Sequence, residues 1–77
     1  MAAKDLVEYV AKNLVDDPDA VVVEVTTGPD GTVIELHVAE EDMGKVIGRN
    51  GSGAKALRTL LKVMSARDGE SVSLEIG

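Results

Sequence analysis

Val46-Ile47-Gly48-Arg49-Asn50-Gly51 is the stretch on which the reading of this chain turns. Two glycines stand with two residues between them, a short helical pattern before and a longer one after. Glycine lets the main chain turn sharply, and lets a ligand come close where a side chain would collide. The second glycine opens a helix, and the first N–H groups of a helix lack intrahelical acceptors, so they suit anions. Arg49 lies inside the loop, Lys45 just before it and Lys55 one turn after it. Phosphate groups are the expected guests.

Just upstream, Glu40-Glu41-Asp42 places carboxylates in the first turn of a short helix, where the helix dipole favours them. Met43, Val46 and Ile47 form its apolar side, and Gly48 ends it. Downstream a longer helix is predicted to about Ala66, with Ser52 as its capping residue. At about 100° per residue, Ala54, Leu57, Leu60, Leu61 and Met64 share a sector of about 120°. Lys55, Arg58 and Lys62 share one of about 60°, well away from it. The helix is expected to be apolar inward and basic outward. Asp68-Gly69 closes it, and Val72, Leu74 and Ile76 alternate with Ser71, Ser73 and Glu75 as a last strand.

Towards the start of the chain, residues 3–15 read as a helix. Leu6, Val10 and Leu14 recur every four residues, with Ala3, Val7 and Ala11 beside them. Asp16-Asp17-Pro18-Asp19 stops it, because proline disfavours helical geometry at the preceding residue. That acidic cluster lacks the glycine and distal glutamate of a calcium loop. Residues 20–27 put Val21, Val23 and Val25 on one face of a strand and Val22, Glu24 and Thr26 on the other. Gly28-Pro29-Asp30-Gly31 is turn chemistry. Strand pattern resumes at Thr32, with Ile34, Leu36 and Val38 alternating with Val33, Glu35 and His37, so the two strands form an antiparallel hairpin with one solvated face. His37 sits in the polar register without a partner histidine or cysteine, and reads as an exposed sheet residue. The order α-β-β-α-α-β defines an α+β fold. Its crossover gives a parallel pair with right-handed connection. The expectation is a three-stranded mixed sheet, order 1-2-3, with three helices on the face lined by Ile34, Leu36 and Leu74.

A chain of 77 residues is one small domain, burying about 60% of its unfolded surface. Its 44% hydrophobic and 29% charged residues place it among folded proteins. The lack of cysteine excludes disulfides, thiol catalysis and cysteine-bound zinc or iron–sulfur groups. A single histidine disfavours a histidine metal site or a triad, and Ser52, Ser65 and Ser71 have no evident base. No enzyme, metal or cofactor is expected. No apolar run approaches the ~20 residues of a membrane span, and Met1-Ala-Ala-Lys-Asp-Leu lacks a secretory apolar core, so a cytoplasmic protein with no membrane partner is expected.

The net charge of −6 argues at first against a nucleic-acid partner. Its distribution argues otherwise. Lys45, Arg49, Lys55, Arg58, Lys62 and Arg67 are six of the eight basic residues, with no acid between them. That segment carries +6; the remainder, two bases against fourteen acids, carries −12. Exposed charges a Debye length apart, about 8 Å at physiological salt, barely interact, so a local basic patch still attracts an anion.

Two other glycine-loop readings fail. Gly48 to Lys55 has the glycine spacing of a nucleotide-triphosphate loop, but Ala54 stands where the lysine belongs and Lys55 where a hydroxyl holds magnesium. Gly51-Ser52-Gly53-Ala54-Lys55-Ala56 fits a dinucleotide pattern, with Glu70 about twenty residues on. A helix precedes it instead of a strand, and the chain cannot supply both halves of a doubly wound sheet.

Gly-x-x-Gly between two helices resembles the loop of the KH domain, which clamps about four nucleotides of single-stranded nucleic acid. The element order resembles the type II, bacterial arrangement of that fold. Gly44-Lys45-Val46-Ile47-Gly48, Ala54-Lys55-Ala56-Leu57-Arg58-Thr59-Leu60-Leu61 and the Thr27-to-Thr32 turn extend the resemblance over essentially the whole chain, to the KhpA family of small bacterial single-KH proteins. The resemblance implies one KH domain over residues 1–77 with its loop at 48–51. It also implies a cytoplasmic RNA-binding protein, acting as an RNA chaperone and linked to cell shape and cell-wall synthesis. The implied partners are single-stranded RNA, a second copy in a homodimer, and a larger KH-containing protein, KhpB. The loop role falls on Gly48, Arg49, Asn50 and Gly51, and the groove role on Ile47 and the helix from Ser52. Asn50 stands where many relatives carry a charge or a longer amide. Gly53 costs about 1 kcal/mol against alanine inside a helix.

The expected mechanism follows. Loop and helix-start N–H groups receive phosphates, while Lys45, Arg49, Lys55 and Arg58 neutralise them. Val46 and Ile47, with one face of the second strand, support unstacked bases. Tyr9 is the only aromatic residue and lies on the first helix, so stacking on aromatic platforms is not the main contribution. A reading of a different class stays open: a KH-fold protein–protein module, its acidic remainder the docking surface and its RNA binding incidental.

Overall fold

The computed structural model describes residues 2–77, Asp68 by its backbone alone; Met1, which opens the stretch read above as lacking a secretory core, lies outside them. Helix α1 spans Ala3–Leu14. Its buried line is Val7 and Ala11, not the Leu6-Val10-Leu14 row, and Leu14 is exposed. Small side chains on the central line bring the helix axis close to its neighbours, and Leu6 and Val10 pack at the flanks. Pro18–Ala20 forms one turn of 3-10 helix, which delays strand β1 to Val22–Gly28.

Strand β2, Gly31–His37, folds back antiparallel on β1 with Val22 opposite His37 and Gly28 opposite Gly31. A 3-10 turn at Glu40–Asp42 leads into helix α2, Met43–Ile47, and helix α3 covers Ser52–Asp68. The long helix runs past Ala66 and ends at Gly69, whose left-handed backbone turns its N–H onto the Ser65 carbonyl at 2.8 Å. Strand β3, Val72–Ile76, pairs in parallel with β2, giving the sheet order β1-β2-β3. This is the α-β-β-α-α-β, mixed-sheet α+β architecture that the periodicities predict.

The alternation of the strands decides the layers. Ile34 and Leu36 of β2 and Leu74 of β3 point to one face, where Val7, Ala11, Val46, Leu57 and Leu61 of the three helices meet them. Each such large side chain contributes about 1.5–3 kcal/mol when fully buried, and these are buried to 5% exposure or less. α1 lies against β1, and α3 against β3 and α2. Val33, Glu35 and His37 of β2 point to the other face with Glu24 of β1 and Glu75 of β3, and no helix among the described residues covers it.

One expectation about α3 changes. Leu60 is 46% exposed and Val63 56%, so the apolar sector wraps past the core. The helix carries three stripes: a buried one, a basic one, and an exposed apolar one formed by Ala56, Leu60 and Val63.

Candidate nucleic-acid interface

The loop is built by two helices that nearly touch. α2 ends at Gly48, whose N–H bonds the Gly44 carbonyl at 2.9 Å and whose φ of 78° lies in the left-handed region. A Cβ on Gly48 would stand 2.6 Å from the Gly53 nitrogen, and one on Gly53 would stand 2.5 Å from the Val46 carbonyl oxygen. Both positions therefore need glycine for close approach of main chain to main chain. Arg49–Gly51 then makes a single 3-10 turn. Asn50 adopts φ 56°, a conformation that asparagine tolerates better than most residues.

Sequence reasoning missed the role of Gly53, reading it only as a weak helix start. A glycine in the first turn after a glycine loop was the available signal. Ser52 is also placed differently: α3 has Gly51 in a left-handed conformation at its cap position and no side-chain cap bond, so Ser52 is the first helical residue.

Arg49 and Asn50 are exposed. Hydrogen bonds within the turn use the N–H groups of Gly48, Gly51 and Ser52, leaving those of Arg49 and Asn50 without a partner among the described residues. The cations around them are unequal. Arg49, Lys55, Arg58 and Lys62 have no carboxylate within ion-pair distance among the described residues. Arg58 Nη2 donates to the Leu74 carbonyl at 3.4 Å, which turns this side chain towards β3. Arg58 and Lys62 there flank a groove of about 160 Å³ floored by Leu61, Val72, Ser73 and Leu74. On the other side of the basic stripe, Ser52, Lys55, Ala56, Thr59 and Leu60 line an open apolar shelf.

Lys45 is not free. Its Nζ lies 2.9 Å from Asp16 Oδ2 and 3.4 Å from Asp42 Oδ1. The hydrogen bond to Asp16, then that to Asp42, holds the ammonium above the usual lysine range. Asp42, only 2% exposed, accepts the backbone N–H groups of Asp16 at 3.2 Å and Asp17 at 3.1 Å. Burial pushes its carboxyl upward, but those two N–H donors and Lys45 outweigh it and leave the pKa lowered. The acidic stretch read as a helix stop is thus also fastened to the helix that leads into the loop.

Val46 corrects the expected base-supporting rim. Its side chain is fully buried, whereas Ile47 is 37% exposed. β2 is the central strand, its inner face under the helices, so the strand flanking the groove is β3. The structure thus gathers Ile47, Gly48, Arg49, Asn50, Gly51 and Lys55 about the loop. It sets Arg58 along β3, Lys45 in an ion-pair cluster and Val46 in the core.

Among the described residues no helix is long and apolar enough to cross a membrane. The chain matches the family model described as KhpA/KhpB, KH domain, over residues 4–76. It is 49% identical over 73 residues to RNA-binding protein KhpA of Clostridium acetobutylicum, covering 95% of this chain and 97% of that one. Identity to RNA-binding protein KhpA of Caldanaerobacter subterraneus subsp. tengcongensis is 50% over 72 residues, 94% of this chain and 96% of that one. Against RNA-binding protein KhpA of Borreliella burgdorferi it is 44% over 72 residues, 94% and 88% of the two chains. Among solved structures, an Aquifex aeolicus Era variant bound to GDP.AlF4- superposes with a TM-score of 0.60 at 26% identity. That match covers 96% of this chain and 29% of the Era chain, so the likeness is to under a third of that protein. The relatives are named as RNA-binding proteins, not as enzymes. With helix, loop and strand order agreeing and the family model matched almost end to end, this chain belongs to the KhpA/KhpB KH-domain family.

Proposed function

We propose that this protein binds single-stranded RNA, with the turn at Gly48–Gly51 as a phosphate clamp. The observation that carries the reading is the exposed Arg49-Asn50 pair, its two N–H groups without a hydrogen-bond partner among the described residues, in a chain whose relatives are named RNA-binding protein KhpA. Phosphates sit on the loop amides and the start of α3, with Arg49 and Lys55 as counter-charges. Bases lie beyond them on the apolar shelf beside Ile47, or along the groove between α3 and β3. Arg58 and Lys62 line that groove. Lys45 serves first as a fastening for the loop helix, and reaches phosphate only by leaving Asp16. Val46 acts from below, by holding α2 in place.

The finer parts of the reading are an RNA-chaperone role in the cytoplasm, pairing with the larger KH protein KhpB, self-association, and a link to cell shape and cell-wall synthesis. Residues 1–77 act as one KH domain in it. Support for self-association comes from Ala56, Leu60 and Val63, an exposed apolar stripe of the kind that marks contact surfaces. With no aromatic side chain on the loop or α3, one domain is expected to bind at micromolar strength, and a second copy adds avidity.

The test is anisotropy of a labelled U-rich single strand with wild type and the double variant Arg49→Asp, Asn50→Asp. Binding should be lost while the thermal midpoint stays nearly unchanged, because both side chains are exposed and aspartate accepts the conformation of Asn50. Equal binding by both proteins removes the loop from the mechanism. Absence of binding by wild type leaves the KH fold to a protein–protein role.

A further inference from the structure

The open face of the sheet carries a cluster that RNA binding does not use. Glu24 and Glu35 are direct cross-strand partners, and Glu35 is the register partner of Glu75, so three carboxylates stand in a row across the three strands. His37 projects from the same face of β2, with Nε2 3.5 Å from Glu35 Oε2. One donor atom from each of Glu24, Glu35 and His37 lies within 4.8 Å of the other two. The row places like charges directly opposite each other, which destabilises a strand pair. None of the three strands carries a lysine or arginine to offset it. All eight lysines and arginines belong to α1 or to residues 45–67, outside the three strands.

The donor chemistry discriminates between cations. Calcium and magnesium prefer oxygen alone, whereas an imidazole nitrogen with two carboxylates suits a zinc-type ion. Such an ion takes three protein ligands at about 2.0–2.2 Å and completes its shell with water. The side chains of Glu35 and His37 are 39% and 43% exposed, which leaves room to draw in by small rotamer changes. Their main chains are fixed by the ladder, with Val22 opposite His37 and Glu24 opposite Glu35. We propose that Glu24, Glu35 and His37 form a binding site for one divalent transition-metal ion of the zinc type on the sheet face opposite the helices. Sequence spacing does not reveal it, because a lone histidine finds its partners only through strand register.

The test titrates the full chain with zinc chloride alone, by calorimetry in a non-chelating buffer near neutral pH. One ion per chain should bind, and His37→Gln or Glu35→Gln should weaken it by about tenfold or more. Glu75→Gln and Glu41→Gln, outside the triad, should bind as wild type does. Because the chain has one histidine, its ring nitrogen signals are unambiguous, and one equivalent of zinc should shift them while magnesium leaves them unmoved. Equal zinc binding by wild type and His37→Gln, or ring signals unmoved at saturation, overturns the site. RNA binding by His37→Gln should match wild type, so the metal site and the loop clamp stand or fall separately.

Discussion

A methyl group at position 53 has nowhere to go. It would stand 2.5 Å from the Val46 carbonyl oxygen, a main-chain atom that cannot swing aside. Helix propensity alone says that Gly53→Ala should gain about 1 kcal/mol. The collision says the opposite, and overpacking of this kind costs about 1–3 kcal/mol. Gly53→Ala should therefore lower the urea midpoint relative to wild type; a raised midpoint would mean that α2 and α3 part easily. At this scale the sequence was readable where a residue acts through its own backbone, as at Gly48, whose left-handed φ and close approach to Gly53 only glycine permits. It was not readable where a residue acts through a distant neighbour. Lys45 looked like a free cation beside a phosphate loop, and only tertiary structure brings Asp16 to it. Val46 and Ile47 are adjacent apolar residues of one short helix, and only the packing decides that the first is buried and the second is not.

Among the elements, α2 is the most dependent on others. It has barely more than one turn, too short to be stable alone, and Asp42 ties its start to the connection between α1 and β1. The lowered pKa of Asp42 fixes the sign of the pH dependence: a depressed native pKa stabilises the fold above the unfolded value, about 3.9, and that stabilisation is lost as pH falls through the native one. Lys45, shifted upward, contributes steadily across neutral pH and loses its contribution only as pH rises through its raised pKa. Asp42→Asn should thus be less stable than wild type at pH 7, and the gap should narrow below about pH 4. Urea unfolding of both proteins at several pH values measures it; a gap that stays constant into acid would mean that the charge of Asp42 is irrelevant. The periodicities located the three α-helices and the three strands, because periods of 2 and 3.6 are local, but not the 3-10 turns at Pro18–Ala20 and Arg49–Gly51. They misassigned faces on α1 and α3, since Leu14 and Leu60 continue an apolar row beyond the area that a three-stranded sheet can cover.

For the molecule as a whole, strand order and the parallel β2–β3 pair followed from connection rules, and the split of charge between segments 45–67 and the rest was visible in the sequence. If about four phosphates are engaged, log affinity should fall with log salt at a slope of about −3. From 50 to 200 mM salt, RNA binding should weaken by about fifty-fold. A titration series across that range gives the slope, and a flat response would exclude the phosphate clamp. The split has a consequence for arrival as well as for grip. The glutamate row lies on the open face of the sheet and the cation stripe on α3 in the helix layer, so the field of a polyanion pulls one part of a very small body and pushes another. The resulting torque turns the molecule in flight, much as a compass needle turns, and an encounter that starts glutamates-first ends in rotation or departure.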